Sequence, residues 1–291
     1  MSLRNLQILA AIARKGSFAA AADQLGLTQS AVSLQMKNLE EELEAQLFER
    51  TGRSPKLNAN GRLVVERAEE ILAIYDGIKG ELNPSGAIGG TLTLGVVPTV
   101  LTGPLPPVLG RLRKQYEQLN VRLVSGLSAE LFGKVEDGEL DAALTTEPPF
   151  AVPPQCEWRP YDLEPFFVAA PKGTEAGNME ELFRSFPFVR FDKTAWAGAM
   201  VNTQLVAQNI HPRYVMEVDS LEAVLSLVEQ GLGIAVVPLN KKRLLQVRTH
   251  FSLTGFGSPQ LARRVGMYQK RRNPRLALTE LVLKELCVEC Q

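Results

Sequence analysis

From Leu3 to Leu43 apolar residues return every three or four positions, with glycine breaks at Gly16 and Gly26. That spacing calls for helices, because only a helix gathers such residues onto one face. Leu3, Leu6, Leu9, Ala10, Ile12 and Ala13 form the first stripe, which stops at Lys15-Gly16. Ser17 suits the N-cap of a second helix, FAAAADQL, which ends at Gly26, and Thr28 suits the N-cap of a third. Helix, tight glycine-bearing turn, helix is the pattern of a helix-turn-helix. Residues 47–57, LFERTGRSPKL, place Thr-Gly and Ser-Pro between short extended pieces and suit a small two-stranded wing.

On a helical wheel the third helix, TQSAVSLQMKNLEEEL, puts Val32, Met36, Leu39 and Leu43 within about 60° of one another. Ser30, Ser33, Leu34 and Lys37 fall opposite, with Gln29 nearer the edge. Residues 28–39 carry no acid, whereas Glu40, Glu41, Glu42 and Glu44 crowd the far end. Such a helix can point its N-terminal half into a DNA major groove, with free N–H groups and short polar side chains on phosphates and base edges. The candidate DNA contacts are therefore Ser17 and Thr28 at the helix starts, then Gln29, Ser30, Ser33, Leu34, Gln35 and Lys37. Gln29 and Gln35 have the donor–acceptor pair that reads adenine, and Leu34 fits a thymine methyl. Arg50, Arg53 and Lys56 of the wing add phosphate or minor-groove contacts. Residues 1–60 hold seven basic and six acidic side chains, so charge alone does not separate a DNA-binding head from a helical module that binds protein.

From Asn58 one long helix runs to about Leu82, with Val64, Ala68, Ile71, Tyr75 and Ile78 recurring at spacings of four and three. A short domain has nothing to cover such a seam, so a second copy of the chain is the expected partner. NPSGAIGG, residues 83–90, has the composition of a linker. Beyond Thr91, strand and helix patterns alternate, which implies an α/β architecture. The first series runs from TLTLGVVP to LDAALTT; a second begins with EPFFVAAP after the Pro-rich EPPFAVPP, and a late strand, RRVGMYQK, and a terminal helix close the chain. Two half-domains joined by crossing strands would enclose a cleft.

Open α/β sheets bind ligands beyond the carboxyl ends of their strands. Those ends read VVPTVLT, VSGLSAE and ALTTEP, which gives Thr99, Val100, Thr102, Ser128 and Thr146 as candidate ligand contacts. The adjoining helix N-termini favour an anionic small molecule. The second half offers Phe191, Thr194, Trp196, Asn202 and Asp219. Ser128 and Asp219 are also good N-caps, with Asp219 and Glu222 spaced as a capping box.

Composition excludes several classes. At 45% apolar and 22% charged over 291 residues the chain is globular in character, and its 32 basic and 32 acidic residues balance. Three cysteines, Cys156, Cys287 and Cys290, do not make a disulfide framework and suit a reducing cytoplasm. No signal peptide and no 18-residue apolar run is present, so no membrane is expected to be involved. His211 and His250, the two histidines, sit in no catalytic or metal-binding pattern. We expect no enzyme activity, no cofactor and no metal. Cys287 and Cys290 form a terminal C-x-x-C with no second pair nearby.

The segment LQILAAIARKGSFAAAADQLGLTQSAVSLQMKNLEEELEAQLFERTGR resembles the N-terminal winged helix-turn-helix of the LysR-type transcriptional regulators, with SFAAAADQLGLTQSAVSLQMKNLE and LFER matching nearly position by position. The long helix, glycine-rich hinge and two α/β halves follow in that family's order, and SLEAVLSLVEQGLGIAVVP resembles its second half-domain. The resemblance implies an all-α winged helix-turn-helix over 1–58, a linker helix and hinge for dimerisation over 59–90, and a periplasmic-binding-protein-like effector domain over 91–291. The last divides into subdomain I, about 91–161 and 266–291, and subdomain II, about 162–265. It also implies a double-stranded DNA operator, a small-molecule effector, a homodimer or homotetramer, and contact with RNA polymerase. The chain departs from the family pattern at Leu34, often basic or polar there, at Lys37, commonly Arg, and at Glu44-Ala45, where a glycine is usual. The alternative from another class is a solute-binding or metabolic α/β protein carrying a helical protein-interaction head.

Overall fold

In a computed structural model, residues 2–49, 56–81, 89–175 and 178–290 are described, together with side chains except at residues 73 and 76–81. They fall into two units, Met1–Gly90 and Thr91–Gln291.

The first unit contains α1 (Leu3–Lys15), α2 (Phe18–Leu25), α3 (Gln29–Glu42) and α4 (Ala59–Glu81). α2 and α3 begin on the expected hydroxyls, Ser17 and Thr28, which accept from the amides of Ala20 and Ala31, and α1 begins on Ser2, which accepts from the Asn5 amide. Gly16 and Gly26 end α1 and α2 with φ of 71° and 64°, left-handed values that a side chain resists. Ile8, Leu9 and Ile12 of α1, Ala21 and Ala22 of α2, and Val32, Met36 and Leu39 of α3 make one core. Phe48 packs edge-on against Phe18, with ring centroids 5.1 Å apart. The wing residues Arg50 and Arg53 lie outside the described residues; its base is an antiparallel bridge between Phe48 and Leu57.

Glu40 ties α3 to the chain that follows it. Its Oε1 accepts from the amides of Leu47 (2.6 Å) and Phe48 (3.2 Å), so the carboxylate fastens α3 to the wing. Asn58 fastens the other side: Oδ1 accepts from Gly61 N at 2.8 Å as the α4 cap, and Nδ2 donates to Gln46 O at 2.8 Å. At Gly61 a Cβ would stand 2.1 Å from the Leu47 carbonyl oxygen, so α4 approaches the wing closely enough to require glycine.

The expected seam on α4 divides. Ala68 is 1% exposed and Val64 packs into the head's own core, because this side of α4 lies on α1. These two residues therefore do not face a second copy. The outward apolar residues are Leu63 (53% exposed) and Ile74 (66%), eleven residues or about three turns apart, with Ile71 and Tyr75 half-turned toward them. The side chain of Ile78 lies outside the described residues.

The second unit runs β1 (Gly90–Val96), α5 (Pro98–Leu101), α6 (Leu105–Gln115), β2 (Leu119–Ser125), α7 (Ser128–Glu136), β3 (Ala142–Thr146) and β4 (Cys156–Pro171). It continues through α8 (Met179–Ser185), β5 (Phe188–Phe191), α9 (Trp196–Ala207), β6 (Tyr214–Val218), α10 (Leu221–Glu229) and β7 (Ala235–Pro238). It closes with α11 (Lys241–Val247), β8 (Phe251–Gly255), β9 (Ala262–Lys270) and α12 (Leu276–Cys290). The strand order β2-β1-β3-β9-β4 forms one lobe, with β1 and β3 parallel and β9 antiparallel to both neighbours. The outer part of β4 changes partners to β7 and β8, and a bridge from Phe188 to Ile234 carries β5 and β6 alongside β7.

The β4–β9 ladder runs from Cys156 opposite Lys270 to Pro165 opposite Ala262. Residues 162–165 and 262–265 thus pair within the first lobe, and the chain crosses at Phe166 rather than at 162. The bounds expected from sequence, 162 and 265, fall inside this ladder because only the register shows where β4 leaves β9. In the second lobe Phe166, Val168 and Ala170 face α8 and α9 while Ala169 faces α10 and α11, a period of two that covers both sheet faces.

Replacing Gly61 with alanine should cost about 1–3 kcal/mol, since the rigid Leu47 carbonyl must yield. Urea unfolding of the full chain, followed by far-UV circular dichroism, measures it.

Candidate functional sites: a DNA-facing helix and a hydroxyl-lined cleft

On α3 the apolar stripe is buried and the opposite side is bare. Gln29, Ser30, Leu34 and Lys37 are exposed, Leu34 at 57%, while Ser33 and Gln35 are half-buried. Ser17 and Thr28 are engaged as caps, and Thr28 Oγ1 lies 3.1 Å from Ser30 Oγ. Lys37 Nζ stands 3.6 Å from Glu41 Oε1, both well exposed, a pair that holds the lysine only weakly. Lys56 is exposed at the wing base.

In the second unit one cation gathers the candidates of the first lobe. Arg263 on β9 is 3% exposed, and its Nη2 donates to Thr99 Oγ1 at 2.8 Å, just beyond β1. Its Nη1 lies 3.5 Å from Thr146 Oγ1 at the end of β3. The Thr146 amide in turn donates to Ser128 Oγ at 3.3 Å. Arg263 is balanced by Glu164, directly opposite on β4: Nε donates to Glu164 Oε2 at 2.7 Å and Nη2 lies 2.6 Å from the same oxygen. Neither Arg263 nor Glu164 was singled out from the sequence. The pattern available was an RR and an E within strands, and only the register places them opposite each other.

The other candidates behave differently. Val100 is fully buried and its amide donates to Val97 O, so it belongs to the core. Thr102 Oγ1 donates back to Pro98 O at 3.2 Å. Ser128 is not the cap of α7: Leu127 holds that position, which frees the Ser128 hydroxyl for Thr146. In α10 the cap is Ser220, accepting from Ala223 N at 3.3 Å, and Asp219 is exposed one residue earlier, so no Asp219–Glu222 capping box forms. Thr194 donates both N and Oγ1 to Asp192. Phe191 and Asn202 line a crevice of about 10 Å³ between β5 and α9, far below ligand size. α5 has four residues, too short for the anion site expected at its start.

Trp196 does reach the first lobe. Its ring meets Phe132 at 5.2 Å and Phe150 at 5.6 Å, both edge-on, and Phe132 stacks on Tyr268 at 3.7 Å. Burial raises the Tyr268 phenol well above its usual range while its hydroxyl donates to Glu136 Oε1 at 2.8 Å. The four rings couple α9 of one lobe to α7 of the other, about one turn beyond Ser128.

Both histidines are exposed, His211 beside Asn209 and His250 beside Glu229. Cys287 and Cys290 face a shallow surface pocket of about 520 Å³ with Tyr161, Asp162 and Arg264. Burial and the neighbouring Asp162 push the Cys290 thiol far up, away from the reactive thiolate. No group of three or more metal-ligating side chains occurs among the described residues.

A helix-turn-helix head followed by a two-lobed α/β unit with hydroxyls gathered around Arg263 at its strand ends is the architecture of an effector-responsive DNA-binding regulator. Residues 3–62 match the family model described as bacterial regulatory helix-turn-helix protein, lysR family, and residues 85–287 match LysR substrate binding domain. The chain belongs to the LysR family of transcriptional regulators, DNA-binding proteins controlled by a small-molecule effector. The HTH-type transcriptional regulator CzcR of Bacillus cereus is 34% identical over 238 residues, which is 82% of this chain and 80% of that one. The fold is shared with full-length OxyR from Pseudomonas aeruginosa (24% identity, TM-score 0.69, covering 98% of this chain and 94% of that one). It is shared likewise with LysG from Corynebacterium glutamicum with bound effector Arg (20% identity, TM-score 0.68, 98% of each chain). The head is thus that family's DNA-binding module, which sets aside a helical head built for protein interaction.

The Asp162 carboxyl is raised, first by burial and then by the charge of Glu164. A carboxyl raised in the folded state costs stability while ionised and loses that cost as pH falls through its folded value. Asp162→Asn should therefore raise the thermal midpoint at pH 7, and the gain should shrink toward zero near pH 4, measured by calorimetry at both values.

Proposed function

We propose that this protein is a cytoplasmic, non-catalytic repressor or activator in which α3 enters the major groove and the hydroxyl-lined cleft receives the effector. The observation that carries the DNA assignment is the bare side of α3: Gln29, Ser30, Leu34 and Lys37 stand outward over the anchored Val32, Met36 and Leu39. Leu34 supports contact with a thymine methyl, and Gln29 with adenine. Lys56 at the base of the wing, with Arg50 and Arg53 from the sequence pattern, would hold phosphates. The outward residues of α4, Leu63, Ile71 and Ile74, support pairing with a second copy, which would set two α3 helices on a dyad-symmetric operator. Further pairing through the effector units would make a tetramer, and an operator-bound assembly would meet RNA polymerase.

In the cleft, Thr99, Ser128 and Thr146 are the anchoring hydroxyls, and Trp196 closes one side. Effector binding would shift the lobes about the β4–β9 crossover and change the spacing of the heads. Lys37→Ala should weaken binding to the DNA upstream of the protein's own gene and lower the salt slope by about 1, while the mass of the assembly stays constant. Gel shifts at several salt concentrations read both, and an unchanged slope would remove Lys37 from the phosphate contacts. Thr99→Val should leave DNA affinity intact and abolish the effector response; an undiminished response would remove Thr99 from the cleft.

A further inference from the structure

The cleft hydroxyls already receive protons from the protein. Thr99 and Thr146 face Arg263, and Ser128 accepts from the Thr146 amide. A hydroxyl has one proton and two lone pairs, so each of these keeps its own O–H to donate, Thr99 from a half-buried position and Ser128 and Thr146 from residues 6% and 3% exposed. The cleft thus presents donors and selects for an acceptor on the ligand.

Charge decides which acceptor. The Arg263 guanidinium is balanced by Glu164 at 2.6 Å, with the two side chains 3% and 6% exposed. The N-terminus of α7 at Ser128 meets a carboxylate of its own in Glu130. Arg264, next along β9, turns away to Glu147 at 2.6 Å and to the ring of Trp158. A carboxylate brought onto Thr99 would shed its hydration, meet a cation that is already neutralised, and stand beside Glu164. An uncharged oxygen makes the same hydrogen bonds at a far smaller desolvation cost.

We infer that the effector is anchored on Thr99, Ser128 and Thr146 through an uncharged acceptor, a carbonyl or hydroxyl oxygen, and that Glu164 is the specificity-determining residue that turns a free carboxylate away. This revises the anionic ligand that the helix starts suggest, and it rests on the cleft being the effector site. The pair Glu164–Arg263 is the switch of ligand class: with Glu164 neutralised, Arg263 becomes an unbalanced cation beneath three donors, which is a carboxylate site.

The test uses the full chain with acetate as probe, chloride at equal ionic strength as reference, and Glu164→Gln, whose amide oxygen can still accept from Arg263. Glu164→Gln should bind acetate at least about tenfold more tightly than the unaltered protein, seen by calorimetric titration and as a raised thermal midpoint. Equal acetate binding by both proteins, or no acetate binding by Glu164→Gln, would overturn the inference. The double variant Glu164→Gln/Arg263→Gln, which lacks both charges, should gain no acetate site; a gain there would also overturn it and remains measurable if the single variant does not fold. Adding Thr99→Val to Glu164→Gln separates the ligand class from the location of the site. Loss of the acquired site places it in the cleft, whereas its full retention would remove the cleft as the effector site.

Discussion

The antiparallel pairing of β4 with β9 is the constraint on which the second unit depends. These two long strands lead from one lobe toward the other, and their ladder closes the sheet of the first lobe before β4 continues into the second. Any change in the angle between the lobes has to be absorbed where this ladder ends, near Pro165 and Ala262. Glu164 and Arg263 are the last charged pair before that point, buried directly opposite each other. Losing one partner of such a buried pair typically costs about 3–5 kcal/mol, because the other charge is left uncompensated. The pair is therefore a fixture of the crossover and the fixed charge behind the hydroxyls of Thr99 and Thr146.

From that pair the polar network spreads into elements that sequence keeps far apart. Thr99 lies just after β1, Ser128 at the start of α7 and Thr146 at the end of β3, and a single guanidinium with one backbone amide joins all three. That polar network lies within the first lobe, and the aromatic group of Phe132, Phe150, Trp196 and Tyr268 adds an apolar tie to the second. Ion pair and rings act differently: the first fixes geometry by hydrogen bonds with sharp directions, the second by contact area that tolerates small rotations.

The head works on the same division at smaller scale. Its core is one stripe from each of three helices, so the outward side of α3 is left to polar residues and one exposed leucine. Glu40 and Asn58 then fix the base of the wing by hydrogen bonds to the backbone of Gln46, Leu47, Phe48 and Gly61. The glutamates at the end of α3 looked alike in sequence, yet one of them is a structural anchor.

Sequence by itself determined the helices of the head, the alternation of strand and helix beyond Thr91, and the family. Helix starts at Ser17 and Thr28, the breaks at Gly16 and Gly26, the α3 stripe and the strand–helix alternation after Thr91 are all local, set by hydrogen bonds and periodicities within a few residues. What only the tertiary structure decided depends on which distant residues meet. That Val64 and Ala68 face inward, that Ser220 rather than Asp219 caps α10, and that the chain crosses at Phe166 follow from packing and register. The largest such case is Arg263: nothing within its own strand distinguishes it from Arg264, and a one-residue step along a strand reverses the face. Pairing with β4 buries Arg263 beside Glu164 among the hydroxyls of Thr99 and Thr146 and leaves Arg264 on Trp158 and Glu147.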